Sequence, residues 1–162
     1  MPNDAKQPPY IPESKTINFA ARHNARRYAV QAMYQWQLAT TPLHELENEF
    51  LRHHINKQFD LAYFQEIIHG IPHYQQEIDQ AMQPFLERNL QEIDPVELAV
   101  LRLAIYELIK RPDIPYRVII NEALQLTKKF GSIEGYKFVN GVLDKVAKIK
   151  RAEEISAKNT GR

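Results

Sequence analysis

Residues 94–110, DPVELAVLRLAIYELIK, decide the fold, because the helix that they predict is apolar on nearly every side. Asp94 is a good N-cap, Pro95 suits the first helical position, and Glu97 follows three residues after the cap. A helix that is apolar all round is normally buried by neighbours on several sides. It is too short and too interrupted by charge to span a bilayer. We therefore predict a central core helix.

Three charged residues interrupt this apolar stretch before its last residue, Lys110. They are Glu97, Arg102 and Glu107, which point in different directions around the helix axis. Arg102 and Glu107 are five residues apart, a poor spacing for direct pairing on one helix. They are the only interior candidates for a catalytic acid–base pair, but we expect them to bind partners on neighbouring helices instead.

The remainder of the chain repeats its apolar residues at helical spacing, without strand-length alternation bounded by hairpin turns. Helices are predicted over 21–39, after Thr41-Pro42, from about 58 with a kink or break at Pro72, from Pro84 to about Leu90, over 115–130, and after Ser132. The sequence therefore predicts an all-α protein of about seven helices, in one domain or two small subdomains that share a core. Residues 1–16, with four prolines, and residues 156–162 are expected to be disordered tails.

The composition excludes several classes of protein. A hydrophobic fraction of 44% supports a packed interior, and the absence of cysteine rules out disulfides and thiolate sites. No apolar signal segment opens the chain, so a cytoplasmic protein that does not bind membranes is expected.

The net charge of +1 is unevenly spread, at +3 over 1–40, −7 over 41–94 and +5 over 95–162. Basic ends suit a polyanionic partner, although the same charges also serve solubility alone.

Catalytic and metal-binding signatures are missing. With five glycines in all, the chain has no loop that cradles phosphates. His69 and His73 are four residues apart, but Pro72 lies between them and no third ligand presents itself. We therefore expect a protein that is not an enzyme and that holds neither a metal nor a cofactor.

The first predicted helix carries a row of cationic and aromatic residues. His23, Arg27 and Tyr34 are spaced so that they share a face, with Arg26 and Val30 beside them. Arginine fixes phosphates by charge and bidentate hydrogen bonds, and an aromatic ring offers a base a stacking surface. The alternative is an ordinary solvated face, and the spacing leaves both readings open.

The last predicted helix carries a similar set. Lys137 lies on its outer face, and Phe138 sits at the margin of the apolar stripe, on the same flank as Lys145. A marginal Phe between lysines is a candidate stacking platform for single-stranded nucleic acid. Alternatively, Phe138 folds into the core beside Val142, and spacing alone favours this second reading.

Four blocks of the chain, in this order, resemble the NusB family of transcription antitermination and termination factors. They are AVQAMYQWQ (29–37), VELAVLRLAIYEL (96–108), IPYRVIINEALQLTKKFG (114–131) and KFVNGVLDKV (137–146). The resemblance covers residues 21–151. It implies two small helical subdomains, about 17–83 and 84–155, and no catalysis.

The same resemblance implies partners. The family pairs with NusE, which is also a small-subunit ribosomal protein, and the pair binds boxA RNA. Together they act on RNA polymerase in the antitermination complex, especially on ribosomal RNA operons. A homodimer of the free protein is a further possibility that the resemblance raises.

Residue by residue, the resemblance implies two surfaces. The RNA surface takes Arg22, His23, Asn24 and Arg26, with Arg27 compensating for the interrupted arginine run, together with Lys137 and Phe138. The resemblance thereby outweighs the core reading of Phe138. The partner surface takes Tyr34, Gln91, Glu97 and Glu134. The alternative is a helical interaction adaptor that does not bind RNA specifically; it predicts that Arg26→Ala and Lys137→Ala leave RNA affinity unchanged.

Overall fold

The structure, a computed structural model, describes residues 18–39, 41–54 and 58–159. Within these ranges it contains eight α-helices and no strand, which confirms the all-α prediction. They are α1 (Phe19–Leu38), α2 (Leu43–His53), α3 (Leu61–His73), α4 (Gln75–Met82), α5 (Pro95–Lys110), α6 (Tyr116–Phe130), α7 (Ile133–Lys150) and α8 (Ala152–Asn159). Two short 3-10 turns, Gln83–Phe85 and Leu90–Glu92, connect α4 to α5.

Helix α5 is the centre of the core, as the apolar residues on nearly all its sides predict. Every residue from Leu98 to Leu108 is buried, and α1, α3, α4, α6 and α7 all pack against this helix. Its start is fixed by Asp94, whose side chain accepts hydrogen bonds from the backbone N–H groups of Val96 and Glu97, both at 3.1 Å. The N-cap prediction is therefore confirmed.

The segment between α3 and α5 differs from the prediction in detail. Pro72 stands in the last turn of α3, and Tyr74 separates α3 from α4, so the chain breaks there. The helix expected over 84–90 is wrong. Pro84 belongs to a 3-10 turn, and the extended backbone of Leu86 (φ −101°, ψ 140°) ends it. The division into subdomains near residue 83 stays a prediction.

The C-terminal helix extends past the boundary predicted for the folded domain. Helix α8 runs to Asn159, beyond Ser156, and the disordered tail stays a prediction. Two contacts attach the first half of this helix to the rest of the fold. The carboxylate of Glu154 accepts a hydrogen bond from the backbone N–H of Tyr116 at 3.1 Å, and Ile155 packs against the core. Residues 1–17 and 160–162, where the other tail segments were expected, lie outside the described residues.

Within the described ranges, no helix combines the length and the apolar character that a membrane span requires.

Candidate nucleic-acid interface

A buried ion pair lies beneath α1. The Nε of Arg26 donates to Oε2 of Glu107 at 2.9 Å, and the hydroxyl of Tyr63 donates to the same oxygen. Arg26 is 4% exposed and Glu107 is fully buried. Burial raises the pKa of Glu107, and the charge of Arg26 and both hydrogen bonds oppose that shift. The sequence placed Arg26 on an exposed face, and that placement is wrong, because its guanidinium turns inward to neutralise a buried carboxylate.

The other predicted residues at the start of α1 are half-buried and partly paired. Arg22 lies 3.6 Å from the carboxylate of Asp60, with its guanidinium 4.3 Å from the ring centroid of Tyr63. Asn24 donates to the backbone carbonyl of Gln58 at 3.0 Å. These contacts hold the start of α1 against the start of α3 and limit how freely Arg22 can turn outward.

His23 faces the opposite neighbour of α1. Its Nδ1 lies 2.7 Å from Oε1 of Glu122 in α6, and its side chain is 31% exposed. The same carboxylate oxygen lies 3.5 Å from Arg26. Arg27 is half-buried, and its guanidinium lies over the ring of Tyr28. Val30, expected beside this row, is buried in the core. The exposed row predicted on α1 is therefore narrower than its sequence suggests.

A groove lies between α7 and the segment that follows α4, with a volume of about 410 Å³. It is lined by Phe85, Glu87, Arg88, Lys137, Phe138, Gly141, Val142 and Lys145. Phe138 is half-buried and also packs against the core. The guanidinium of Arg88 lies 5.3 Å from the centroid of its ring. The two readings of Phe138 are thus compatible, because one part of the ring packs inward and another lines a cationic groove.

Glu97 lies close to this groove. It is half-buried at the start of α5, and its carboxylate rests against Gly135 in α7, where a Cβ atom would overlap it. Burial raises the pKa of Glu97, the charge of Asp94 adds to the rise, and Arg88 opposes it. Glu134, the residue before Gly135, is exposed. Arg88 therefore interacts with Phe138 of the predicted RNA surface and with Glu97 of the predicted partner surface.

A second and larger groove, of about 570 Å³, lies where the end of α1 meets α4 and the start of α5. Gln91 lines it together with Trp36 and Leu38, and Leu38 is 58% exposed. Tyr34, four residues before Leu38, is 36% exposed. Exposed aromatic and aliphatic side chains beside a groove are typical of a protein–protein contact.

The floor of this second groove is polar. Arg102 donates through Nε and one terminal nitrogen to the two carboxylate oxygens of Asp79, both at 3.0 Å. Its other terminal nitrogen donates to the side-chain oxygen of Gln37 at 3.1 Å. The bidentate pair of Arg102 with Asp79 and the ion pair of Glu107 with Arg26 confirm the prediction that these two residues of α5 bind neighbouring helices.

Sequence reasoning did not single out Arg88, Gly141, Trp36 or Leu38 as surface or groove residues. Arg88 lies in a segment without periodicity, so only the tertiary fold brings it to Phe138. Leu38 could have been found, since an apolar residue one turn after Tyr34 continues that face of α1. Within the described ranges, no group of three or more His, Asp or Glu side chains is placed to hold a metal ion.

Comparison with known proteins gives a consistent result. A family model described as the NusB family matches residues 23–148. The transcription antitermination protein NusB of Pseudomonas fluorescens (strain Pf0-1) is 51% identical over 143 residues, which are 88% of this chain and 86% of that protein. Among solved structures, T. maritima NusB is 32% identical with a TM-score of 0.69, covering 78% of this chain and 90% of that one.

A second solved structure contains a bound partner and RNA. It is described as antitermination factors NusB and NusE in complex with double-stranded RNA. The similar chain in it is 27% identical to this one with a TM-score of 0.72, and the match covers 78% of this chain and 96% of that chain. The match of the family model over residues 23–148, with 51% identity over 143 aligned residues to one relative, is decisive. The chain belongs to the NusB family.

Proposed function

We propose that this protein is a non-enzymatic transcription antitermination factor that binds boxA RNA together with NusE and supports transcription of ribosomal RNA operons. The observation that carries the proposal is the groove in which Phe138 lies between Arg88, Lys137 and Lys145. An aromatic ring among cations suits single-stranded RNA, because the ring stacks with a base while the cations contact phosphates. Membership of the family supports the same function.

The RNA surface in this proposal has two unequal parts. Lys137 is exposed and Phe138 lines the groove, so both contact RNA directly. Arg22, His23 and Arg27 contribute their exposed portions at the start of α1. Arg26 supports that surface from beneath, since its guanidinium holds Glu107 and not a phosphate.

The partner surface in this proposal includes Tyr34, Gln91, Glu97 and Glu134. Gln91 lines the large groove at the end of α1, and Tyr34 is exposed one turn before Leu38, which also lines it. Glu97 and Glu134 lie in the first turns of α5 and α7. The acidic charge of residues 41–94 suits a basic ribosomal protein, and opposite charges accelerate association at low salt. The resulting complex would act with RNA polymerase in the cytoplasm. Self-association of the free protein stays a prediction.

The decisive experiment is a titration of labelled boxA-type RNA with this protein, alone and with NusE. The proposal expects the heterodimer to bind boxA RNA more tightly than a scrambled RNA of equal length and composition. Equal affinity for the two RNAs, with NusE bound, would refute specific recognition. Both titrations need the same salt concentration, because phosphate contacts make affinity strongly dependent on salt.

Replacing Phe138 by alanine is expected to weaken RNA binding by about 1–3 kcal/mol, the usual loss for one stacking aromatic. The measurement is the affinity of the heterodimer for boxA RNA, with helix content checked by circular dichroism. Phe130→Ala is the matched control, because Phe130 is an exposed aromatic that does not line the groove. If the two variants bind RNA equally well, Phe138 is a packing residue only.

Replacing Glu97 by lysine is expected to weaken NusE binding about tenfold, or about 1.4 kcal/mol, because it puts like charges together at a basic partner. Glu97→Gln keeps the shape without the charge and should give a smaller loss. Glu153→Lys makes the same charge change at an exposed site on α8 and should leave binding unchanged. Calorimetric titration of NusE into each variant gives the affinities; an unaltered affinity in Glu97→Lys would remove Glu97 from the interface.

One observation favours the alternative, an interaction adaptor without specific RNA binding. Arg22, His23 and Arg26 already lie beside the carboxylates of Asp60, Glu107 and Glu122, so α1 offers less free positive charge than its sequence suggests. Lys137→Ala separates the two functions. The adaptor predicts unchanged RNA affinity and retained NusE binding, whereas the RNA-binding factor predicts weaker RNA binding at low salt, with a difference that shrinks as the salt concentration rises.

A further inference from the structure

Gly141 leaves a gap in the wall of the Phe138 groove. It lies in the interior of α7, where glycine is less favourable than alanine because its backbone loses more conformational freedom on folding. Packing does not require a glycine there, since a Cβ atom at this position would meet no heavy atom within 4 Å. Gly135 differs, because a Cβ atom there would overlap the carboxylate of Glu97. Gly141 is exposed and lines the groove, so the missing side chain leaves that part of the groove open.

The surroundings of the gap indicate what could fill it. Lys137 and Lys145 precede and follow Gly141 by four residues each, so all three lie along one side of α7 and line the groove. Phe138 lies beside them, with Arg88 over its ring. Glu87 is the one carboxylate in the lining, against the three cations. An aromatic surface with an excess of positive charge suits an anionic ligand that carries an aromatic group.

We propose that Gly141 keeps this groove open for one unstacked nucleobase of the bound RNA, which stacks on Phe138 while phosphates on either side contact Lys137 and Lys145. The proposal rests on the proposed RNA-binding function and adds a single-nucleotide pocket with a residue that sets its width. The groove volume of about 410 Å³ falls in the range of pockets that enclose small molecules, roughly 300–1,000 Å³.

The two lysines flank the gap at Gly141. Eight residues of α-helix separate their Cα atoms by about 12 Å along the axis. Gly141 lies halfway between them, so a base placed there has one cation on each side. Because Arg88 lies over the ring and is itself exposed, the base takes its place and frees the guanidinium for a phosphate. Splayed bases stacked on aromatic side chains are the usual mode of recognition of single-stranded RNA.

The test combines a variant that fills the gap with RNAs that lack one base. Gly141→Ala and Gly141→Leu introduce better helix formers into open space, so the melting temperature should stay equal or rise in both. The affinity of the NusE heterodimer for boxA RNA should fall, with a greater loss for leucine, which we expect to exceed tenfold. Asn140→Leu adds the same side chain to an exposed neighbour that does not line the groove and should leave RNA affinity unchanged.

A set of boxA RNAs, each with one abasic nucleotide, then locates the base. The unmodified protein should lose affinity strongly at one position, and Gly141→Leu should be insensitive to the abasic change at that same position. Uniform sensitivity along the RNA, or full affinity in Gly141→Leu, overturns the pocket while leaving the proposed function in place. If the unmodified heterodimer does not bind boxA RNA at all, the proposed function fails and the pocket fails with it.

Discussion

Replacing Glu107 by alanine is expected to destabilise the protein by about 3–5 kcal/mol, the usual cost of removing one partner from a buried ion pair. The carboxylate is fully buried and accepts hydrogen bonds from Arg26 and Tyr63. Without it, Arg26 remains a buried cation whose nearest remaining carboxylate, that of Glu122, lies 3.5 Å away. A loss of this size is a large part of the stability of a small domain.

Urea denaturation of Glu107→Ala against the unmodified protein measures this loss. The double variant Arg26→Met, Glu107→Leu is the informative control, because it replaces both charges by apolar side chains of similar size. It should recover much of the lost stability, since desolvation of an ion pair offsets most of its attraction. A double variant as unstable as Glu107→Ala would mean that the shape of this site matters more than its charge.

The sequence predicted the role of α5 for a clear physical reason. An apolar helix is buried, and a charge inside it is too costly to leave unpaired. Arg102 and Glu107 therefore had to meet opposite charges or hydrogen-bond partners on other helices, as they do with Asp79, Arg26 and Tyr63. The periodicity could not name these partners, because they are 23 to 81 residues away in the chain.

The inward orientation of Arg26 could not be predicted from the sequence pattern alone. Its charge favours exposure, although Ala29, Val30 and Met33 at the i+3, i+4 and i+7 positions are apolar. Only the docking of α1 on α5 brings a buried carboxylate within reach, and that decides that Arg26 turns inward. The same holds for Arg88, which reaches Phe138 only because the bent segment after α4 passes along α7.

These pairings change how the charge of the chain is distributed over its surface. The cations at the start of α1 are partly neutralised by three carboxylates. These are Asp60 just before α3, Glu107 on α5 and Glu122 on α6. The cations around Phe138 lie instead in a groove lined by one carboxylate, that of Glu87. We therefore expect charge substitutions at α7 to change RNA affinity more than equivalent substitutions at Arg22 or His23.

Replacing Leu101 by alanine is expected to cost about 2–5 kcal/mol of stability, the range for a buried leucine truncated to alanine. Leu101 is fully buried in the middle of α5, where several helices meet. Urea denaturation measures the change in the free energy of unfolding. The expected range is wide because the cost depends on how far the surrounding helices relax into the cavity. Leu61→Ala is the matched control, because Leu61 is 44% exposed at the first position of α3 and should change stability by less than about 0.5 kcal/mol.

Leu101→Ala also distinguishes an effect on stability from an effect on binding. Under conditions where the variant is still folded, its affinities for NusE and for boxA RNA should match those of the unmodified protein, because Leu101 lines neither groove. Glu97→Lys, on the same helix, should show the reverse pattern, with weaker NusE binding and a much smaller loss of stability, about 1 kcal/mol for a cation in the first turn of a helix. Reduced RNA affinity in folded Leu101→Ala would mean that the packing of α5 sets the width of the Phe138 groove through α7.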